Sequence, residues 1–399
     1  MTSPAPIRRS DGVRARPRPT SVIASPRGLR GALVWSPSQA SGSRNASVGE
    51  AADACHVMRT NIVMSVLLVA DHDEFSKHDP GPGHPERIQR LAAVEAGVRK
   101  ARVDDAIVLL PSRVATRDEL QLVHDTALID RVAELCENGG GAIDMDTVAS
   151  VGSWDAALHA AGAGLAAVDA LEQGDGLAAF LGLRPPGHHA TGRTPMGFCL
   201  VNHVAVAAAA LAERGARVLV LDYDAHHGNG TQDIFWSDPR VLYISLHQWP
   251  LYPGTGRIDD TGAGAGAGTT CNVPLPAGTT GDVYLRAFDE VIEPMVERFA
   301  PDWVLVSAGY DAHRDDPLTG LALSAGDYGI LAARAVALAP KGRTIVFLEG
   351  GYDLDALRES VSATLPALLG EPVSSSQPPT SGGPGSEVIE AAREVHQLA

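Results

Sequence analysis

Short, largely apolar runs alternate with longer segments of helical period along most of this chain. Strand candidates rich in Val, Ile and Leu fall at 66–69, 107–110, 178–183, 218–221, 241–246, 303–307 and 344–348. Helical patterns near 86–100, 118–137, 154–172, 201–214, 282–299, 324–339 and 353–369 separate most of them. Strands that are apolar at every position, rather than at every second one, belong in a sheet covered on both faces. The pattern therefore predicts an α/β fold, a single three-layer domain with a mostly parallel sheet flanked by helices. Open sheets of this kind gather ligands beyond the carboxyl ends of their strands. Polar clusters follow the runs ending near 183, 221, 307 and 348.

The two flanks break the alternation. Residues 1–63 are rich in Arg, Pro and Ser, and Pro4, Pro6, Pro17, Pro19 and Pro26 oppose any helix, so this segment is expected to be disordered. Residues 64–370 form the expected domain, and 371–399 read as a Ser/Pro/Gly linker with a short helical tail over 387–398. Of the net charge of −16, the first 63 residues carry nine Arg against three acids, or +6, which leaves −22 for the remainder. So acidic a domain argues against direct nucleic-acid binding and favours cationic partners or plain solubility. Cys55, Cys136, Cys199 and Cys271 lack paired spacing, and no secretory pattern precedes them, as expected of a reduced, cytoplasmic setting. With no apolar run of membrane-spanning length, no membrane association is expected.

The candidate chemistry sits at the strand ends. In VLVLDYDAHHGNGTQ, residues 218–232, the period-two alternation of a strand puts Asp222, Asp224 and His226 on one side. Carboxylate and imidazole delivered together suit zinc, which binds both and in catalytic sites leaves a position for water. In FLGLRPPGHHATGRTPMGF, residues 180–198, adjacent His188 and His189 follow a rigid Pro-Pro-Gly turn. The run GAGAGAG at 262–268 neither follows a clear strand nor opens a helix, and it reads as a surface loop rather than a nucleotide loop.

Together with SAGYDAHRDDPL at 307–318 and LEGGY at 348–352, these motifs resemble, in order, the zinc-dependent histone deacetylases. The resemblance runs from about Met64 to Leu369. It points to the class II-like branch that includes bacterial deacetylase-like amidohydrolases and acetylpolyamine amidohydrolases, with the arginase/deacetylase-like fold. It implies one zinc ion per chain held by Asp224, His226 and Asp316, with Asp311 the alternative third ligand. It makes His188 and His189 the tandem catalytic histidines, oriented by Asp222 and Asn229 respectively. An amide supports imidazolium less than a carboxylate does, so His189 is the expected general base. Tyr352 matches the residue that donates a hydrogen bond to the developing oxyanion.

The implied reaction is hydrolysis of an acetylated amine, either acetyl-lysine in proteins or a small acetylated amine such as a polyamine, releasing acetate. Gly197 and Phe198 match one wall of the acyl-lysine channel. Tyr252 stands on the other wall where the family usually has Phe, and Leu318 falls at the rim. Asp146 matches a loop carboxylate that grips the substrate backbone, or else caps the helix that follows. Ser245 and Leu246, with Asp222, Asp224 and His226, match the surroundings of a structural potassium ion. The alternatives are a binuclear ureohydrolase, against which Gly228 stands where a second metal-binding Asp is needed, and a catalytically silent acetyl-lysine binder or scaffold. The latter should have lost a ligand, a His or the Tyr, all of which are present.

Overall fold

The protein is described from a computed structural model, which covers residues 66–70 and 72–398; the 1–63 segment expected to be disordered lies outside the described residues. The strands are β1 (Leu67–Ala70), β2 (Ile107–Leu109), β3 (Gly141–Ala142), β4 (Val148–Ala149), β5 (Ala178–Leu181), β6 (Val218–Asp222), β7 (Val241–Gln248), β8 (Thr270–Leu275), β9 (Trp303–Ala308) and β10 (Thr344–Leu348). The helices are α1 (Gln89–Ala101), α2 (Arg117–Leu120), α3 (Thr126–Glu137), α4 (Ser153–Gln173), α5 (His203–Glu213), α6 (Asn229–Phe235), α7 (Gly281–Ala287), α8 (Glu293–Phe299), α9 (Ala325–Ala337), α10 (Leu354–Leu368) and α11 (Ser386–Val395).

Eight strands form one sheet in the order β2-β1-β5-β10-β9-β6-β7-β8, and every pairing in it is parallel. The α/β expectation is borne out. Alternate residues of one strand serve opposite layers, as the strand period requires. Leu219 and Leu221 of β6 join α1 and α7–α11 in one core, whereas Val218 and Val220 join α4 and α5 in the other.

Four elements escaped the sequence pattern. β8 carries Pro274, which cannot donate to a ladder and is tolerated because β8 is an edge strand. The helix α6 begins inside Gly228-Asn229-Gly230, with Gly228 as its N-cap, and β3 and β4 form a separate two-residue antiparallel hairpin. The stretch read as one helix over 282–299 is α7 and α8 joined by a π-helical turn at Phe288–Ile292. Residues 371–385 are not a free tether. The Gln377 side chain meets His313 Nε2 at 2.7 Å and accepts from the Ala325 amide, and Thr380 is bonded to Asp327. α11 then buries Ile389 and Ala392 in the core that covers one face of the sheet.

Candidate active site

The carboxyl ends of five adjacent strands, β5, β10, β9, β6 and β7, carry the chemistry into one place. β6 ends at Asp222, and the chain turns at once to deliver Asp224 and His226. β9 ends at Ala308, and three residues later Asp311 comes up beside them. Ligand atoms of Asp224, His226 and Asp311 all lie within 4.8 Å of one another. His226 Nδ1 is 2.9 Å from Asp311 Oδ2 and 3.1 Å from Asp224 Oδ1. The remaining oxygens are held by backbone: Asp224 Oδ2 accepts from the Gly350 amide at 2.8 Å and Asp311 Oδ1 from the Ala225 amide at 2.9 Å. Approach this close needs glycine, since a Cβ at Gly309 would lie 2.0 Å from Asp224 Oδ2 and one at Gly350 2.3 Å from Asp311 Oδ2.

Burial and the charge of Asp224 push the Asp311 carboxyl up from its ordinary value. Two buried carboxylates facing a single imidazole are short of positive charge, which a divalent cation would supply; the donor set is one that zinc accepts. The residues therefore fit a metal ion. Asp316, the third ligand expected from the sequence, is not among them, and that expectation is corrected. Its Oδ2 accepts from the amides of Tyr352 at 2.7 Å and Asp353 at 3.4 Å, and its Oδ1 from Leu318 at 3.0 Å. Five residues beyond Asp311, it lies past the turn under β9 and braces the Tyr352 backbone instead.

The paired histidines sit in the loop after β5. His188 Nδ1 is 3.0 Å from Asp222 Oδ2, and His189 Nδ1 is 2.8 Å from Asn229 Oδ1. Burial works against a charge on His188, but Asp222, Asp224 and Glu349 outweigh it and raise the imidazole to about 10. For His189 burial and the neighbouring charges of His188 and His226 act together and hold it well below its ordinary value. Because the amide oxygen of Asn229 can only accept, Nδ1 of His189 carries the proton and Nε2 is left as the acceptor.

Four charged residues that sequence reasoning missed hold this arrangement. Glu349 accepts from the amides of Gly187 at 2.6 Å and His188 at 3.2 Å and from Ser307 Oγ at 3.1 Å. Arg90 donates to the carbonyls of Glu349 at 2.5 Å and Gly351 at 2.7 Å. Arg184 precedes the Pro-Pro-Gly turn, and the buried carboxylate of Glu86 bridges the two guanidinium groups. The available signals were Arg184 and Glu349 abutting apolar strands.

Gly197, Phe198, Leu251, Tyr252, Leu318 and Tyr352 line a cavity of about 250 Å³ with His189 and His226 at its base and Asp146 also on its wall. Phe198 stands edge-on to Tyr352 at 5.8 Å, and Tyr252 edge-on to His189 at 5.2 Å. Phe198 holds φ at +67°, an uncommon conformation for a bulky residue, with its amide tied to Thr147 Oγ1 at 3.1 Å. Asp146 does not cap a helix: α4 starts at Ser153 after Gly152. Ser245 lies beside Asp222 in the β6–β7 register and bonds to His247, while Leu246 packs into the core.

The histone deacetylase domain model matches residues 84–368. The chain belongs to the histone deacetylase family. This histone deacetylase family member is 44% identical over 296 residues to a probable deacetylase of Archaeoglobus fulgidus, covering 73% of this chain and 82% of the relative. It is 42% identical to the chloroplastic histone deacetylase 10 of Oryza sativa, covering 72% and 70% of the two chains. Its fold is similar to the crystal structure of the HDA15 HD domain, with a TM-score of 0.77 and 36% identity over 84% of this chain and 94% of that one. Among its described residues no helix is long and apolar enough to cross a membrane.

Proposed function

We propose that this deacetylase family member is a zinc-dependent amidohydrolase that removes the acetyl group from acetylated lysine side chains of polypeptides. Asp224, His226 and Asp311 would hold the metal, which when bound supplies Lewis acidity to the acetyl carbonyl and lowers the pKa of a water molecule. The observation that carries the reading is one cavity lined by His189, Tyr352 and His226 of that donor set, with the ring of His188 4.1 Å from that of His189.

His189 accepts the proton of the attacking water at Nε2, with Asn229 fixing its tautomer. His188, kept charged by Asp222, stabilises negative charge developing beside it. Tyr352 donates its hydroxyl proton as a hydrogen bond to the carbonyl oxygen as that oxygen becomes anionic. Phe198 and Tyr252 would flank a lysine-like stem and exclude water, and Asp146, on the cavity wall, would accept from backbone amides of the substrate. Leu318 offers no carboxylate to a distal ammonium, which favours lysine over an acetylated polyamine.

A binuclear ureohydrolase reading is disfavoured by space as well as by ligand count. A Cβ at Gly228 would lie 2.2 Å from Asp222 Oδ2, so no second metal-binding side chain fits there. The test is metal analysis paired with acetate release from an acetyl-lysine peptide. Wild type should carry one zinc per chain; Asp311→Asn should lose both metal and turnover, and Asp316→Asn should keep its metal. Two ions per chain, or full zinc in Asp311→Asn, would overturn the assignment.

A further inference from the structure

A second concavity, of about 480 Å³, opens beside the candidate channel, and nothing in the chemistry above uses it. Its floor is apolar, from Leu135 on α3, Ile143 after β3 and Pro195 in the loop before the channel wall; Glu134 and Asp144 supply carboxylates at its edge. Arg131 also borders it, but its guanidinium is engaged with the Arg193 carbonyl at 2.9 Å.

The two concavities are built by the same pair of chain segments. Residues 142–144 line the groove and Asp146 lines the channel; Thr194 and Pro195 line the groove and Gly197 and Phe198 the channel. The ridge between them is firmly held. Asp144 Oδ1 accepts from the amides of Asp146 and Thr147, and Ile143 donates to the Thr147 carbonyl at 2.8 Å. Thr147 Oγ1 in turn accepts from the amide of Phe198, and His84 joins the ridge to the channel wall by bonding the Asp146 carbonyl at 2.9 Å and stacking edge-on to Phe198 at 4.6 Å. At the crest Met145 is fully exposed to solvent. A fixed surface with a bare methionine, whose thioether adapts to many shapes, is suited to being covered by another chain.

We infer that this groove receives the stretch of substrate polypeptide beside the acetylated lysine, crossing Met145 and seating an aliphatic or basic side chain over Leu135 and Ile143 next to Glu134. The inference rests on the acetyl-lysine reading above and specifies the substrate as an extended polypeptide. Asp144 and Asp146 are two residues apart, at most about 7 Å of extended chain. The groove is thus reached two or three residues from the lysine whose stem fills the channel. The acidic edge selects cations over anions there.

The test compares kcat/KM for a minimal blocked acetyl-lysine amide with that for peptides extended on one side or the other. These carry Leu, Lys or Glu two or three residues from the acetyl-lysine. Extension on one side by Leu or Lys should raise kcat/KM about tenfold, with Glu giving no gain. Glu134→Lys should cut the Lys-over-Glu preference about fivefold, the scale of an exposed ion pair. Met145→Ser should lower the extended-to-minimal ratio; both side chains are exposed, and matching melting curves would establish folding. Equal values for minimal and extended substrates overturn the groove while leaving deacetylation intact. Cleavage of acetylpolyamines without cleavage of any lysine substrate overturns the peptide reading, and no cleavage of any acetylated amine overturns both.

Discussion

Replacing Glu86 by Gln should be among the most damaging isosteric changes in the molecule. Glu86, Arg90 and Arg184 are completely shielded from solvent, and His78 is nearly so. The carboxylate takes Arg184 Nε at 2.5 Å and Nη2 at 2.6 Å, Arg90 Nη1 at 3.2 Å and His78 Nε2 at 3.2 Å. A glutamine keeps the volume but leaves two buried guanidinium groups without their counter-charge. Breaking a buried ion pair by removing one partner costs about 3–5 kcal/mol. At roughly 2 °C per kcal/mol for a domain of this size, Tm should fall by about 6–10 °C.

The same change should reach the chemistry, because Arg90 holds the carbonyls of Glu349 and Gly351 immediately before Tyr352. A displaced donor costs up to about 100-fold in turnover, measured where the variant is still folded. The pH dependence has a definite sign. Burial would raise the Glu86 pKa, but His78 and Arg184 outweigh it and hold the group far below the ordinary carboxylate range. A depressed folded-state pKa means stability that is fully present above the unfolded value and lost as pH falls toward the folded one. The gap between wild type and Glu86→Gln should therefore be constant from about pH 8 to 5 and begin to close only below about 4.3. Thermal denaturation across that range is the assay; a Tm change under 2 °C at neutral pH, or a gap that widens in acid, would refute the reasoning.

Tyr352→Phe keeps the ring against Phe198 but removes the donor, and turnover should drop by roughly 100-fold or more while a hydroxamate still binds, as calorimetry can measure. Deleting residues 1–63 should leave Tm unchanged and the rate of acetate release within about twofold, because every motif lies beyond them. Acetyl-lysine peptides should be hydrolysed with higher kcat/KM than acetylspermidine, and Leu318→Glu should shift the preference toward the polyamine; a clear wild-type preference for acetylspermidine would count against the role given to Leu318.

What the sequence could reveal followed from how local each feature is. The interior strands β5, β6, β7, β9 and β10 each carry a run of successive apolar residues, so their existence and their shared burial were legible. β8 was not, because its Pro274 is acceptable only at an edge, and being at an edge is a property of the finished sheet. The pairings of His188 with Asp222 and His189 with Asn229 were implied by the family resemblance, and the structure brings each pair within 3.0 Å. Asp311 and Asp316 show the limit of that method. Both are Asp residues in one loop after β9, and choosing between them requires knowing that the chain turns at Tyr310, where the His313 amide meets the Tyr310 carbonyl.

The charged brace behind the site was hidden for a different reason. Glu86 and Arg90 stand four residues apart across the start of α1, the spacing of an ordinary solvated ion pair. Nothing in that spacing separates a surface pair from one with no exposure at all. Arg184 and Glu349 are more telling, because each directly follows an apolar strand or its short extension and has no solvated stretch into which to turn. A charge in that position must either find a buried partner or destabilise the fold. Asp222 obeys the same rule at the end of β6 and was recognised because its partner is a histidine in a familiar motif. Arg184 and Glu349 were not, because their partners are Glu86 and backbone amides, which leave no pattern in the sequence.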